Sequence, residues 1–249
     1  MSVITLSNAS GSGPRPRGLA RYGWNEVAWP CIAACAVLMV LSATRTDEHL
    51  ADMLYAWQGQ QWSLRHGFWT EHVLHGGGRT LNAVLALVLA AAWIKGRRQA
   101  ATPAWLRPVG ATLCAVVAAN LAMAWIKSSS GIECPWDLTR YGGTHAFVGW
   151  FDHRGPGPAH GRCFPAGHAG SGYAWMAFYF LLRSIHPRRR HWGLVFGVAL
   201  GVLFGAGQQL RGAHFLSHDI ASAAISWVTL GVVYRWLAGD MRVATGVKP

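Results

Sequence analysis

The sequence predicts an all-α fold, a bundle of six transmembrane helices. Three observations lead there. Of 249 residues, 52% are hydrophobic and only 13% are charged, whereas ordinary soluble domains are about 25% charged. The apolar residues gather into six runs approaching the roughly 17–25 residues that carry a helix across a bilayer. Fourteen Trp accompany them, and Trp anchors helix ends at the membrane–water interface. The same composition excludes other classes. It is too apolar for intrinsic disorder, and five Cys in this length are too sparse for a disulfide-built scaffold. A net charge of +12 invites a nucleic-acid partner, but such a partner requires a basic face on a soluble fold. None is expected.

The six runs cover 27–43, 80–94, 109–126, 169–185, 192–207 and 220–237. The second and fifth are short, and the fifth is rich in Gly. Charge then sets the orientation. With six crossings, one side holds residues 1–26, 95–108, 183–191 and the tail from Arg235. That side carries 14 of the 22 Lys+Arg, with only Glu26 and Asp240 opposing them. Basic loops stay cytoplasmic, which places both termini inside. Segments 44–79, 127–168 and 208–219 then lie at the outer face. Residues 1–25 are Gly/Ser/Pro/Arg-rich and have no apolar core, so they read as a mobile cytoplasmic arm without a cleavable signal. A single membrane domain follows over 26–240, then a cytoplasmic tail over 241–249. Residues 48–75 mix Leu, Trp and Phe with polar groups, the pattern of an amphipathic segment lying in the interface. Gly76, Gly77 and Gly78 are expected to break that segment and turn the chain into the second span.

Three outer clusters flank spans. Lys127 ends the third run and is followed by GIECPWDLTRYGG; CFPAGH ends in His168 before the fourth; QQLRGAHFLSHD precedes the sixth. Ionisable groups at membrane depth are costly, so they are functional candidates by default. Three such clusters on one side point to one site.

In order and spacing these clusters resemble the three-part signature of the type 2 phosphatidic acid phosphatase superfamily: Lys-x6-Arg-Pro, Pro-Ser-Gly-His and Ser-Arg-x5-His-x3-Asp. The first motif reads KSSSGIECP here, with Lys127 and Pro135 in place and Cys134 at the Arg position. The second reads PAGH, with Ala166 for Ser. The third reads QQLRGAHFLSH, with Gln208 for Arg and His218 for Asp. The resemblance spans essentially the whole chain, because the six-span plan and motif placement match as well. It implies a membrane lipid phosphatase whose third-motif His, here His214, attacks phosphorus. The second-motif His, here His168, protonates the leaving oxygen. Imidazoles suit both roles near neutral pH. No metal or other cofactor is implied, since cations and backbone amides can neutralise the phosphoryl oxygens. Gly167, opening a helix, is expected to offer N–H groups to phosphate.

The family surrounds its phosphate with three cations, of which Lys127 alone stands at its motif position. Arg140, in the same outer loop, and Arg211 are the expected substitutes. If 211–218 is helical, Arg211, His214 and His218 share one face, and Arg211 brings a bidentate fork. The group orienting His214 is either His218, at the family's Asp position, or Asp219, the nearest carboxylate. His145, His153, His160 and His168 recur at spacings that suit no common metal motif, so no metal is expected. Cys31, Cys35 and Cys114 fall inside spans as packing residues. Cys134 and Cys163, the two outside the spans, are expected to form a disulfide in an oxidising compartment. Closing a loop of that size stabilises by roughly 3–4 kcal/mol in the chain-entropy model.

The resemblance thus implies metal-independent hydrolysis of a lipid phosphate or pyrophosphate monoester through a phospho-histidine, at the periplasmic face of a bacterial inner membrane. Polyprenyl pyrophosphate, phosphatidate, phosphatidylglycerol phosphate and lipid A phosphate all fit. Phosphoryl transfer to another lipid, or lipid binding or transport without catalysis, are the alternatives. The partners expected are the lipid phosphate and the membrane lipids themselves; oligomeric state is not legible.

Overall fold

The computed structural model describes residues 23–149 and 161–237. Most of the 1–25 arm, the whole 241–249 tail, His153 and His160 lie outside the described residues. Within them the fold is all-helical, with two isolated β-bridges and no strand. The elements are α1 (Trp24–Ala43), α2 (Thr46–Trp57), a 3-10 turn (Ser63–His66) and a π-helical stretch (Phe68–Gly77) that runs into α3 (Gly78–Arg97). After them come α4 (Leu106–Ser129), α5 (Gly167–Tyr173), α6 (Ala177–Ile185), α7 (Arg190–Leu210) and α8 (Leu216–Leu237).

Five helices among the described residues are long and apolar enough to cross a membrane: Trp24–Ala43, Phe68–Arg97, Leu106–Ser129, Pro187–Leu210 and Leu216–Leu237. Their outward faces are apolar. Trp29 is 67% exposed on α1, Leu87 68% on α3 and Trp125 74% on α4. Water does not tolerate such a belt of large apolar side chains, and lipid does. The chain is a membrane protein.

The run at 169–185 departs from the continuous fourth span that its apolarity predicts. It is helical, but the 3-10 turn Ala174–Met176 divides it into α5 and α6. Gly167, Gly170 and Gly172 open it, and Gly is a weak helix former. Its apolarity serves the interior instead of lipid. Ala169, Tyr173, Ala174, Trp175, Met176, Ala177 and Phe180 are all buried.

A second departure concerns Gly76, Gly77 and Gly78. The chain does not turn there, because Gly77 (φ −62°, ψ −38°) and Gly78 (φ −61°, ψ −40°) are helical. A Cβ on Gly78 would stand 2.8 Å from the Phe204 ring and 3.0 Å from His168. This glycine permits a close approach, and the helix runs through it from the 68–77 segment into the span.

The tightest contact in the bundle lies between α7 and the α5–α6 unit. Gly193, Gly197, Gly201 and Gly205 recur every fourth residue along α7, forming one smooth stripe. A Cβ at Gly197 would fall 2.1 Å from the Met176 backbone nitrogen, and one at Gly193 2.4 Å from the Phe178 carbonyl carbon. Tyr173 occupies the space over Gly201, and the Asp219 carboxylate that over Gly205. Polar links hold the remaining helices. Asn82 of α3 donates to Ser171 at 3.0 Å and accepts from the Trp175 indole at 2.5 Å. Farther along, Tyr234 stacks on Phe180 with ring centres 4.9 Å apart and hydrogen-bonds Thr112 of α4. At that end Arg183 pairs with Glu26, tying α6 to α1.

Gly197→Ala is expected to destabilise the protein by about 1–3 kcal/mol, since its Cβ meets backbone that cannot swing away. Gly76→Ala, whose Cβ meets only an ordinary 3.5 Å contact, is expected to be tolerated. Thermal unfolding in detergent checks both; equal midpoints for the two variants contradict this account of the α7 face.

Candidate active site

Four segments converge at one end of the bundle. They are the last turn of α4, the start of α5, the α7–α8 connection and the π-helical stretch before α3. Each arrives for a local reason. Lys127 lies in the last turn of α4, and its amine donates to the Pro165 carbonyl at 3.5 Å. Its stem lies 3.8 Å from where a Gly167 Cβ would stand. The 165–168 stretch is held on α8. Ser222 donates to the Ala166 carbonyl at 3.1 Å, and Ser226 to the Gly170 carbonyl at 3.4 Å.

α7 stops at Leu210 and Gly212 reverses the chain with φ +71°. A side chain is doubly barred there, because the Trp62 indole lies 2.4 Å from its Cβ position. α8 restarts at Leu216, and Asp47 of α2 caps it by accepting from the Ser217 N–H at 2.9 Å. The 211–218 segment is therefore not one helix. Arg211, His214 and His218 do not share a single helical face as the spacing suggested.

His214 and His218 still meet across the start of α8, with their Nδ1 atoms 3.4 Å apart. His218 is buried between Phe164 and Phe215, each at 5.5 Å and edge-on. Asp219 points the other way. Its Oδ2 accepts from Gln209 and its carboxylate packs over Gly205, so it serves the α7–α8 contact. Of the two candidates for orienting His214, the structure brings His218 to it.

The disulfide between Cys134 and Cys163 ties the Lys127 segment to the His168 segment, with Cα atoms 5.1 Å apart. Its Cys163 sulfur rests 2.8 Å from the Ala213 carbonyl oxygen and 3.6 Å from His214 Nδ1. Burial, then the neighbouring His218 and Lys127, hold the His214 imidazole well below the ordinary histidine pKa. It is neutral at pH 7. With Nδ1 turned to His218, its Nε2 is the nitrogen left to act on a substrate.

His168 donates from Nε2 to the Leu74 carbonyl at 3.1 Å and stacks on Phe204 with ring centres 4.5 Å apart. A carbonyl oxygen only accepts, so neutral His168 carries its proton on Nε2 and leaves Nδ1 open to proton exchange. Beside it stands His75, at 4.5 Å between ring centres, which the Gln208 side chain contacts at 3.0 Å. Sequence reasoning missed His75. The signal was its position just ahead of the second span, on the side shared by the other clusters.

Arg211 is buried, but its fork is occupied. Nε donates to the Arg65 carbonyl at 2.7 Å, one terminal amine reaches Gln208 at 3.5 Å, and the other is 3.5 Å from Glu71. Gln208, at the family's Arg position, thus hydrogen-bonds this Arg. Arg140 is elsewhere engaged. Both its Nε and a terminal amine bind Asp52, which Tyr141 also contacts at 3.0 Å. Arg140 holds the Asp52 carboxyl below its ordinary pKa, and the pairing raises its own. The physical reason is α2, whose Asp52 claims the loop arginine that the spacing had assigned to phosphate.

For a metal, the geometric candidates among the described residues are Cys163, His214 and His218, whose ligand atoms all lie within 4.8 Å of one another. In the disulfide, Cys163 offers no thiolate. Cys35 and Cys114 are exposed on outward helix faces instead of packing inside.

The PAP2 superfamily model matches residues 108–242, more than half of the chain. The chain belongs to the PAP2 superfamily. Neither the curated proteins nor the solved structures yield a match. PAP2 proteins are generally phosphatases, and the matched region holds Lys127, His168, His214 and His218.

In this PAP2 protein, His218→Ala is expected to lower turnover about 10²-fold by leaving His214 unoriented. Asp219→Asn should leave kcat little changed while lowering thermal stability. Steady-state kinetics checks the set; a larger kcat loss at 219 than at 218 reverses the assignment.

Proposed function

We propose that the chain hydrolyses a lipid phosphate or pyrophosphate monoester at the outer face of a bacterial inner membrane, without a metal, through phospho-His214. The observation that carries this reading is a buried neutral imidazole, His214, turned by His218 so that Nε2 is available, with Lys127 and His168 within electrostatic reach. We take the bundle to cross the membrane six times, the broken α5–α6 unit included, with both termini cytoplasmic.

The step follows from the groups present. His214 Nε2 attacks phosphorus as the bond to the lipid oxygen breaks, and His168, entering the step as the imidazolium with its Nε2–H on the Leu74 carbonyl, gives that oxygen its Nδ1 proton. Lys127 and Arg211 stand nearby to balance phosphoryl charge. Water then attacks the phospho-histidine, His168 takes its proton, and phosphate leaves with His214 restored. A membrane-end site suits an amphiphile whose head group is in water while its tails remain in lipid. Which lipid is hydrolysed, or whether a lipid hydroxyl replaces water, is decided by a panel of polyprenyl and phospholipid phosphates assayed for inorganic phosphate.

One observation favours a non-catalytic, lipid-binding reading: both candidate phosphate arginines have carboxylate neighbours, Arg140 with Asp52 and Arg211 with Glu71. Phosphate release by purified protein in EDTA separates the two.

His214→Ala is expected to abolish turnover with expression and lipid binding intact, and wild-type activity in that variant overturns the mechanism. His168→Ala should be severe with lipid substrates. A substrate with a good leaving group should partly rescue it, since that group needs less protonation. The nucleophile must be neutral, and the His214 pKa is lowered. The acidic limb of kcat/KM should therefore fall well below pH 6.5, with activity held as pH drops from 7 to 6. A limb at or above the ordinary histidine value contradicts this.

A further inference from the structure

We propose that Cys163, His214 and His218 form a redox-gated site for a zinc-type divalent cation, closed while the Cys134–Cys163 disulfide is intact and opened by its reduction. Two of the three donor separations already match a coordination sphere, and all three donors lie within 4.8 Å of one another. A tetrahedral zinc ion with bonds of about 2.0–2.3 Å to nitrogen and sulfur holds its donors roughly 3.3–3.6 Å apart. Here His214 Nδ1 lies 3.4 Å from His218 Nδ1 and 3.6 Å from Cys163 Sγ. All three residues are buried: Cys163 is 1%, His218 2% and His214 9% exposed. Two imidazoles and one thiolate suit zinc, cobalt(II) and their neighbours, with water completing the tetrahedron.

The gate is the sulfur. In the disulfide it is a weak donor without charge. A thiol or phosphine reductant supplies two electrons, and the S–S bond becomes two thiols as the reductant is oxidised. Cys134 is only partly buried, which gives the reductant its approach. The Cys163 thiol then releases a proton to become the thiolate ligand, and His214 and His218 bind through Nδ1. Reoxidation by a disulfide oxidant, which takes up the two electrons as it is reduced to thiols, re-forms the S–S bond, withdraws the thiolate and frees the ion.

The consequence for activity rests on His214 being the nucleophile. A neutral imidazole bound through Nδ1 carries its proton on Nε2, so the lone pair proposed to attack phosphorus is gone. The disulfide thus has a chemical role besides its mechanical one. It keeps the nucleophile from being captured by a metal, so that where zinc is present the chain is active only in its oxidised form.

Cobalt(II) is the probe, added to full-length, tag-free protein in detergent. Reduced wild type, and Cys134→Ser without reductant, are expected to bind one cobalt per chain, with thiolate charge-transfer absorption and tetrahedral d–d bands that zinc abolishes. Oxidised wild type and Cys163→Ser should show neither. Near-UV circular dichroism confirms that reduced wild type stays folded, so the test does not depend on either variant. No thiolate band in reduced wild type overturns the proposal, as does an equal band in Cys163→Ser or in oxidised protein. Zinc at the concentration that displaces cobalt should lower turnover of reduced wild type more than tenfold and leave oxidised protein unaffected. A cobalt site with undiminished turnover upholds the metal site and refutes the nucleophilic role of His214 instead.

Discussion

The glycine face of α7 is the contact on which the rest of the structure depends. Between helices in lipid there is little hydrophobic drive, and association relies on close packing and polar links. Gly193, Gly197 and Gly201 let α7 lie against the backbone of the α5–α6 unit. Once that register is set, much of the site's geometry follows from helical rise. Phe204 sits under His168, Gln208 meets His75 at 3.0 Å, and the helix ends where Arg211 can turn toward Arg65 and Glu71. Gly205 extends the stripe to α8 by making room for Asp219. The fold's tightest contact and its most polar end therefore belong to the same helix.

That polar end is sustained by pairing each charge with something fixed. Lys127 rests on the Pro165 carbonyl; Arg211 is shared among the Arg65 carbonyl, Gln208 and Glu71; Asp47 receives the Ser217 N–H at the start of α8. Unpaired, such groups cost several kcal/mol in a low-dielectric setting. His214 differs, because it meets burial by remaining neutral, which is the state its proposed nucleophilic role requires.

What was legible in the sequence follows from which forces are local. Apolar runs at 27–43, 109–126, 192–207 and 220–237 each fall within one helix, because lipid selects for continuous hydrophobicity. The second apolar run starts at Thr80 although its helix begins at Phe68, since hydropathy is blind to a polar lead-in turn. The run at 169–185 was apolar for a different reason, burial in protein, and hydropathy does not tell protein from lipid. Lys127, His168, His214 and His218 were legible because their spacing is carried by the chain itself. Arg140 was misplaced because its partner, Asp52, lies 88 positions away. Arg211 was set on a helical face that Gly212 interrupts. His75 reaches the site only through the packing of α3 and its lead-in on α7.

The departures from the PAP2 motifs have a common electrostatic logic. Cys134 and Gln208 stand where two cations are expected, and His218 stands where an anion is expected. An aspartate beside His214 would stabilise an imidazolium, but would need nearby positive charge to remain ionised when buried. With the two arginines gone, a buried carboxylate there would lose much of that support. A neutral imidazole asks for none. In the proposed mechanism it orients His214 by accepting a hydrogen bond from Nδ1–H, and it leaves Lys127 and the Glu71-shared Arg211 as the charges that the proposed phosphate would meet. Cys134 then contributes what its motif position still allows, a covalent tie that holds the Lys127 segment against the His168 segment. Among the motif positions Lys127 is then the one cation and no anion opposes it, so the site keeps its positive sign with fewer buried charges.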